Sequence, residues 1–217
     1  MSLPRRLTAE ALGTAFLLMT VIGSGIMGER LSQGNAAIAL LANSIATGCA
    51  LYILILVFGP VSGAHFNPAV TLGMALDKRI GWRDALAYII VQVMAAFAGV
   101  AVAHLMFGED LFTASVKIRT GGAQWLGEFV ATFGLVTVIW GCVRQNITAV
   151  PAAVACYITA AYWFTSSTSF ANPAVTLARA YSNSFAGIRP EDAPAFILAQ
   201  LAGAAAALLA VRFWSPQ

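Results

Sequence analysis

Two identical stretches, NPAVTL at 67–72 and NPAVTL at 172–177, place polar residues inside very apolar surroundings. Asn is a strong helix N-cap and Pro is favoured at the first helical position, so each stretch predicts the start of a helix. The two boxes comprise Asn67, Pro68 and Ala69, and Asn172, Pro173 and Ala174. Their offset of 105 positions is close to half of the 217-residue chain, which indicates an internal duplication.

Other polar residues repeat at a similar offset. Glu10 and Glu128 are each followed by a Thr four residues later, and Gln92 and Gln200 occur in the similar stretches VQVMAA and AQLAGA. The two acids have two possible roles. An acid inside a membrane is a candidate proton carrier. Their symmetric placement fits better with accepting backbone N–H bonds from loops, and we favour that structural role.

The composition of the chain indicates a membrane protein. Hydrophobic residues make up 59% of it, charged residues only 10%, and the mean hydropathy is +0.80. A soluble domain has about 25% charged residues. The net charge of +3 is too small to suggest a nucleic-acid partner. The sequence shows no nucleotide loop, metal-ligand cluster or nucleophile–base pair. We therefore predict no enzyme activity, catalytic residue, cofactor or metal site.

Six apolar runs are long enough to cross a hydrocarbon core of about 30 Å. They lie near 7–27, 36–59, 84–108, 124–143, 149–168 and 194–214. An even number of spans puts both termini on one side of the membrane. The termini and the connectors on that side hold seven of the twelve Lys and Arg residues, which predicts cytoplasmic termini.

The repeated boxes fall between spans two and three and between spans five and six. The chain is therefore predicted to be one channel domain, 1–217, with repeats over approximately 1–110 and 120–217, the second inverted relative to the first. The helix after each box has room for only about 10 residues, roughly 15 Å, which is half the membrane thickness. The stretches VSGAHF and SSTSFA, which precede the two Asn residues, are candidate pore linings. Two helix N-termini meeting at one point would repel a cation and let a neutral polar molecule pass.

With these residues the chain resembles the aquaporin (major intrinsic protein) family over nearly its whole length. The resemblance is carried by SGAHFNPAVTLG, the second Asn-Pro-Ala box, the two span-opening Glu residues and AQLAGA. It implies an all-α membrane protein of six transmembrane helices plus two re-entrant half-helices, in an inverted 3+3 repeat, assembled as a homotetramer. It also implies that Asn67 and Asn172 turn their amide groups into the pore. The expected backbone acceptors along the pore are those of Gly63, Ala64, His65, Thr168, Ser169 and Phe170.

The sequence departs from the family pattern at the filter. Many members carry Arg three residues after the second Asn, where this chain has Val175. Gap-free counting puts the other filter positions at Thr47, Ala160 and Ser169, a small ring that predicts a wide opening. Arg179, one helical turn beyond Val175, is a candidate vestibule cation. The alternative, which we favour, is that Arg179 pairs with Glu191, Asp192 or lipid headgroups.

The expected function is a passive channel for small neutral solutes: water, glycerol-like polyols and metalloid acids such as arsenite. The wide filter resembles bacterial members associated with arsenic resistance, which implies an integral protein of the bacterial inner membrane. Its expected partners are uncharged solutes, water, the lipid bilayer and copies of itself. The alternatives are a narrow water-selective channel and an ion-coupled transporter, and the latter would need charged residues at the midplane.

Overall fold

The structure, a computed structural model, describes residues 1–214, and the last three residues of the predicted domain lie outside it. Within 1–214 the regular elements are all helical. The α-helices are α1 (Leu3–Leu31), α2 (Ala36–Ser62), α3 (Pro68–Leu76), α4 (Trp82–Phe107), α5 (Gly122–Gln145), α6 (Val150–Phe164), α7 (Pro173–Arg179) and α8 (Ala193–Trp214).

Six of these elements are long and apolar enough to span a membrane: α1, α2, α4, α5, α6 with the short helical turn before it, and α8. Large apolar side chains such as Phe16, Ile53 and Met94 are exposed on their outer surfaces, as a lipid environment allows. The predicted spans are confirmed as helices, with boundaries shifted by a few residues. The fifth ends at Phe164 rather than near 168, because the residues that follow form the non-helical approach to Asn172.

The long helices pack as two matching groups. In the first half α1 packs against α2 and α4, and in the second half α5 packs against α8 and α6, while α2 and α6 join the halves. Glycines allow the closest approaches at equivalent places. A Cβ on Gly99 would lie 2.3 Å from the carbonyl oxygen of Ala15, and one on Gly203 would lie 2.4 Å from that of Phe129. Small residues at such crossings let membrane helices pack backbone to backbone.

The short helices α3 and α7 begin inside the helix bundle and run outward in opposite directions. The end of α3 lies on the side of the molecule that carries both termini, where Asp77 accepts a hydrogen bond from the indole of Trp140 near the end of α5. The end of α7 lies on the opposite side, where the carbonyl of Ala180 accepts from the backbone N–H of Ser115. We call these the terminal side and the far side.

Candidate functional site

The two box asparagines cap their own short helices and bind each other's approach segment. The Asn67 side-chain oxygen accepts from the N–H of Ala69 at 2.9 Å, and the Asn172 oxygen accepts from Ala174 at 3.0 Å. The Asn67 amide donates to the carbonyl of Ala171, and the Asn172 amide donates to that of Phe66, both at 2.7 Å. Each amide nitrogen carries a second hydrogen that these bonds do not use.

The chain reaches each Asn through a short non-helical segment with unusual dihedral angles. Ala64 and Phe66 have φ of +49°, and Ser169 and Ala171 have φ of +50° and +48°. In both segments these residues lie three and one positions before the Asn. Left-handed conformations cost a non-Gly residue about 1–2 kcal/mol each, so the surrounding structure has to hold them.

In the first half the carboxylate of Glu10 holds this segment in place. It accepts from the N–H groups of His65 at 2.9 Å and Phe66 at 2.7 Å, and also from the side chains of Ser62 and Gln92. Successive N–H groups in such alternating conformations form a concave anion site, and the carboxylate occupies it.

In the second half Glu128 makes three equivalent bonds, without a counterpart of the bond from Ser62. It accepts from Phe170 and Ala171, each at 2.9 Å, and from the Gln200 amide at 2.6 Å. Both acids are fully buried. Because their oxygens accept from so many donors, both acids fit the loop-supporting role.

A cavity of about 610 Å³ runs along the axis between the two halves, past both box asparagines. At the terminal side it is lined by Arg6, Arg79 and Tyr88. Much of its wall is apolar, from side chains of four long helices: Leu17, Val21, Leu51, Ile55, Leu135, Ile139, Val154 and Ile158. Along one strip it is lined by the approach segments, through Gly63, Ala64, His65, Ser169 and Phe170, all five of which the sequence predicted to line a pore.

Toward the far side the cavity is bounded by Thr47, Tyr162, Val175 and Arg179, with Ser169 beside them. The predicted filter position Ala160 is wrong, because this residue is exposed and does not line the cavity. Gap-free counting failed here because residues 165–172 leave the helix, and Tyr162 takes the position instead. Its hydroxyl lies 3.2 Å from that of Thr47. The ring is therefore less small and more polar than predicted.

Thr168 was also predicted to line the pore, and it does not. Thr168 is half-buried instead, and its hydroxyl accepts from Arg119 at 3.3 Å. His65 does line the cavity, and its Nδ1 lies 3.0 Å from the Thr71 hydroxyl. That contact orients the imidazole from within its own half of the molecule.

Arg179 lies at the far end of the cavity and is only 2% exposed. Its guanidinium carbon is 3.3 Å from the ring centre of Phe170, and its Nε donates to the carbonyl of Ala186. The favoured prediction that Arg179 pairs with Glu191 or Asp192 is wrong. Glu191 and Asp192 pair instead with Arg189, since Arg179 points inward from the end of α7.

Arg119 was not singled out from the sequence. It is 8% exposed. Its guanidinium donates to the carbonyls of Gly187 and Ser167, at 2.8 and 3.0 Å. Its guanidinium carbon lies 4.9 Å from the Phe170 ring centre, so Arg119 and Arg179 flank the same aromatic ring. No pattern around Arg119 in the sequence signals this burial.

Fold and site together define an integral membrane protein with an axial cavity between two re-entrant half-helices. The model of the family described as major intrinsic protein matches residues 1–165. Because this match covers well over half of the chain, the protein belongs to the major intrinsic protein family.

Similar proteins support the assignment to this family. The chain is 56% identical over 211 residues to "Aquaglyceroporin AqpS" of Rhizobium meliloti (strain 1021), covering 97% of this chain and 90% of that protein. It is 40% identical over 135 residues to "Aquaporin NIP1-4" of Oryza sativa subsp. japonica, covering 61% and 48%. Against "Nodulin-26" of Glycine max the identity is 31% over 144 residues, covering 65% and 52%. The match thus spans about half of the length of these plant relatives.

The fold itself matches a solved structure. The X-ray structure of the aquaglyceroporin from Plasmodium falciparum superposes with a TM-score of 0.73, covering 98% of this chain and 96% of that one, at 21% sequence identity. At this low sequence identity the match is evidence for the fold alone. It supports the arrangement of six spans around two half-helices.

Proposed function

We propose that the protein is a passive channel for small neutral solutes, with water and glycerol-like polyols as its main cargo. The observation that carries this function is the cavity that passes both box asparagines between the two halves of the molecule. A solute at this point meets two uncharged amide donors and no ionised side chain from the boxes. This polarity suits a molecule that accepts hydrogen bonds and carries no net charge.

Three features of the cavity support the mechanism. The spare amide hydrogens of Asn67 and Asn172 donate to an oxygen of the passing solute. The approach segments, whose N–H groups are bound by Glu10 and Glu128, keep carbonyls for a solute's hydroxyl groups. The apolar wall opposite offers no competing hydrogen bonds, so the solute follows the polar strip. A water held by both asparagines accepts from both, so it does not relay a proton along the file.

Cations are excluded by the same arrangement. The half-helices α3 and α7 direct their N-terminal ends toward the middle of the cavity. Each helix end carries a partial positive charge, and a desolvated cation finds no carboxylate there to replace its water. The box acids cannot serve, because their oxygens already accept the N–H bonds of the approach segments.

The finer choice of solutes rests on the filter. Val175 replaces the arginine that many family members carry, and its small apolar side chain leaves room in the ring. Tyr162 and Thr47 provide hydroxyls, which suit a polyol with several oxygens. The name of the rhizobial relative, an aquaglyceroporin, points the same way. We propose undissociated arsenite as a further solute, since it is a small neutral molecule with three hydroxyls.

The proposed solutes are tested by stopped-flow light scattering of proteoliposomes with water, glycerol, urea and arsenite. The expected result is water and glycerol permeability well above that of empty liposomes, with arsenite also raised. Water permeability alone would favour the narrow water channel. Permeability equal to that of empty liposomes for every solute would contradict the channel.

We also propose that the chain forms one channel domain of two inverted repeats, approximately 1–110 and 120–217. We propose further that four copies assemble, and that the protein resides in a bacterial inner membrane with its termini in the cytoplasm. The equivalent bonds of Glu10 and Glu128 support the repeats. The exposed apolar faces support contact with lipid and further copies. Native mass spectrometry of the purified protein should give a mass of four chains. In a variant whose three native cysteines are replaced by Ser and whose Ser2 is replaced by Cys, a membrane-impermeant thiol reagent should label the protein only from the cytoplasmic side.

A further inference from the structure

Three cations on the far side of the molecule have no acidic partner within salt-bridge distance in the described part of the chain: Arg179, which lines the cavity, and Lys117 and Arg119, which do not. The five salt bridges among residues 1–214 involve none of them. Lys117 donates to the carbonyl of Phe185 and lies 4.3 Å from that ring's centre. Burial, with the nearby charges of Arg119 and Arg179, lowers the pKa of Lys117 to about 8. Arg119 and Arg179 both lie against the Phe170 ring, so these two charges are close to each other.

Arg179 has free hydrogen-bonding capacity that points to a ligand. Its Nε is bound to Ala186 and its flat face lies on Phe170. Neither terminal nitrogen has a hydrogen-bond partner in the described part of the chain. Neither is among the fully buried polar atoms that lack a partner, so both nitrogens retain some accessible surface. Because Arg179 lines the cavity, this surface faces the cavity. An arginine whose residue is only 2% exposed, and whose two terminal nitrogens are unpaired, lacks the partner that a buried charge normally has.

We propose that Arg179, with Arg119 and Lys117 supplying the surrounding positive charge, binds a small monovalent oxyanion at the far end of the cavity. The two terminal nitrogens form a fork that matches the two oxygens of a carboxylate. The stacked Phe170 ring fixes the plane of that fork. Formate carries the two carboxylate oxygens that the fork needs on a single carbon, so it is the simplest probe. The anion site rests on the proposed function in one respect, which is that solutes pass through this cavity. A bound anion would then hinder their entry.

A purely structural role for Arg179 is the competing explanation, because its bond to Ala186 also holds the loop that follows α7. The two roles differ in what they predict for added anion. If Arg179 has only a structural role, its replacement lowers stability and the wild type shows no saturable formate binding. A binding arginine gives a saturable formate signal that its replacement removes.

The test is saturation-transfer difference NMR on the formate proton, with the full-length protein in detergent. We expect a saturable signal in the millimolar range for the wild type, weakened about tenfold or more in Arg179→Gln, as loss of a charge-assisted pair implies. Arg30→Gln is the matched control, because Arg30 is an exposed far-side cation already paired with Glu109. Its signal should equal that of the wild type.

Two further variants keep the test decisive if Arg179→Gln does not fold. Arg179→Lys retains the charge without the fork, and Arg119→Gln removes a neighbouring charge, so each should weaken the formate signal severalfold. A wild-type signal no greater than that of empty micelles, or equal signals in the wild type and in all folded Arg179 and Arg119 variants, would overturn the proposal. The binding signal needs no solute flux, so it stands or falls separately from the channel function.

Discussion

Glu128→Gln is the change that tests most sharply how the cavity is held open. The carboxylate accepts from the N–H groups of Phe170 and Ala171 and from Gln200. The amide that replaces the carboxylate has only one oxygen. The substituted side chain keeps two of the three hydrogen bonds if that oxygen faces Ala171 and Gln200. Its NH₂ group then faces the N–H of Phe170, which leaves two buried donors without acceptors.

The size of the effect follows from that count. An unsatisfied buried donor costs about 1–3 kcal/mol, so the two together cost about 2–6 kcal/mol. Removing a buried charge offsets part of this, which leaves a net loss of about 2–4 kcal/mol. For a chain of this length we expect the midpoint of thermal unfolding to fall by about 4–16 °C. Permeability per protein should fall too, because the segment that Glu128 binds carries Ser169 and leads to Asn172.

The assay is fluorescence-monitored unfolding of the purified protein in detergent, alongside water permeability of proteoliposomes. Glu29→Gln, which changes an exposed acid, is the control and should match the wild type. Glu10→Gln should lose at least as much stability as Glu128→Gln, because Glu10 accepts from four donors. Wild-type stability in Glu128→Gln would refute the supporting role. Unchanged stability with loss of a proton-driven flux would show instead that the acid carries protons.

Other perturbations give distinct outcomes. Asn67→Ala or Asn172→Ala should uncap a half-helix, costing about 1 kcal/mol or more, and raise the ion leak of proteoliposomes; unchanged leak and permeation in both would contradict the central site. Val175→Arg should lower the glycerol-to-water and arsenite-to-water permeability ratios, because a guanidinium fills the ring beside Thr47; unchanged ratios would place selectivity elsewhere. Formate binding should weaken as pH rises through about 8, because Lys117 then loses its charge while formate keeps its own; burial and the charges of Arg119 and Arg179 lower the pKa of Lys117, and the charge of Glu29 raises it. A flat titration from pH 7 to 9 would exclude Lys117 from the site.

The sequence was sufficient for the parts of the fold that depend on local chemistry. The Asn-Pro pairs mark helix starts by capping, and the long apolar runs mark spans by length, so both features could be read without tertiary information. The repetition of Glu10 as Glu128, and of Gln92 as Gln200, was visible as polar residues at equivalent places in the two halves. The structure adds that each Gln donates to its Glu.

The far end of the cavity depends on tertiary geometry, and the sequence failed there. Ala160 was chosen by counting back from Asn172, although the non-helical residues between them change the register. The four-residue spacing of Val154, Ile158 and Tyr162 is a signal that could have corrected the choice, because it marks one face of α6, and all three line the cavity. Arg119 gave no comparable signal, because its connector is folded inward by bonds to residues far along the chain.

The most direct test of the passive channel is glycerol entry into proteoliposomes at a set glycerol gradient, with the membrane potential and the proton gradient varied independently. The predicted initial rate is proportional to the glycerol gradient, is unchanged by a potential of either sign or by a proton gradient, and reaches zero when the internal and external concentrations are equal. Sustained accumulation of glycerol above its external concentration, driven by protons or sodium, would contradict a passive channel and establish a coupled transporter.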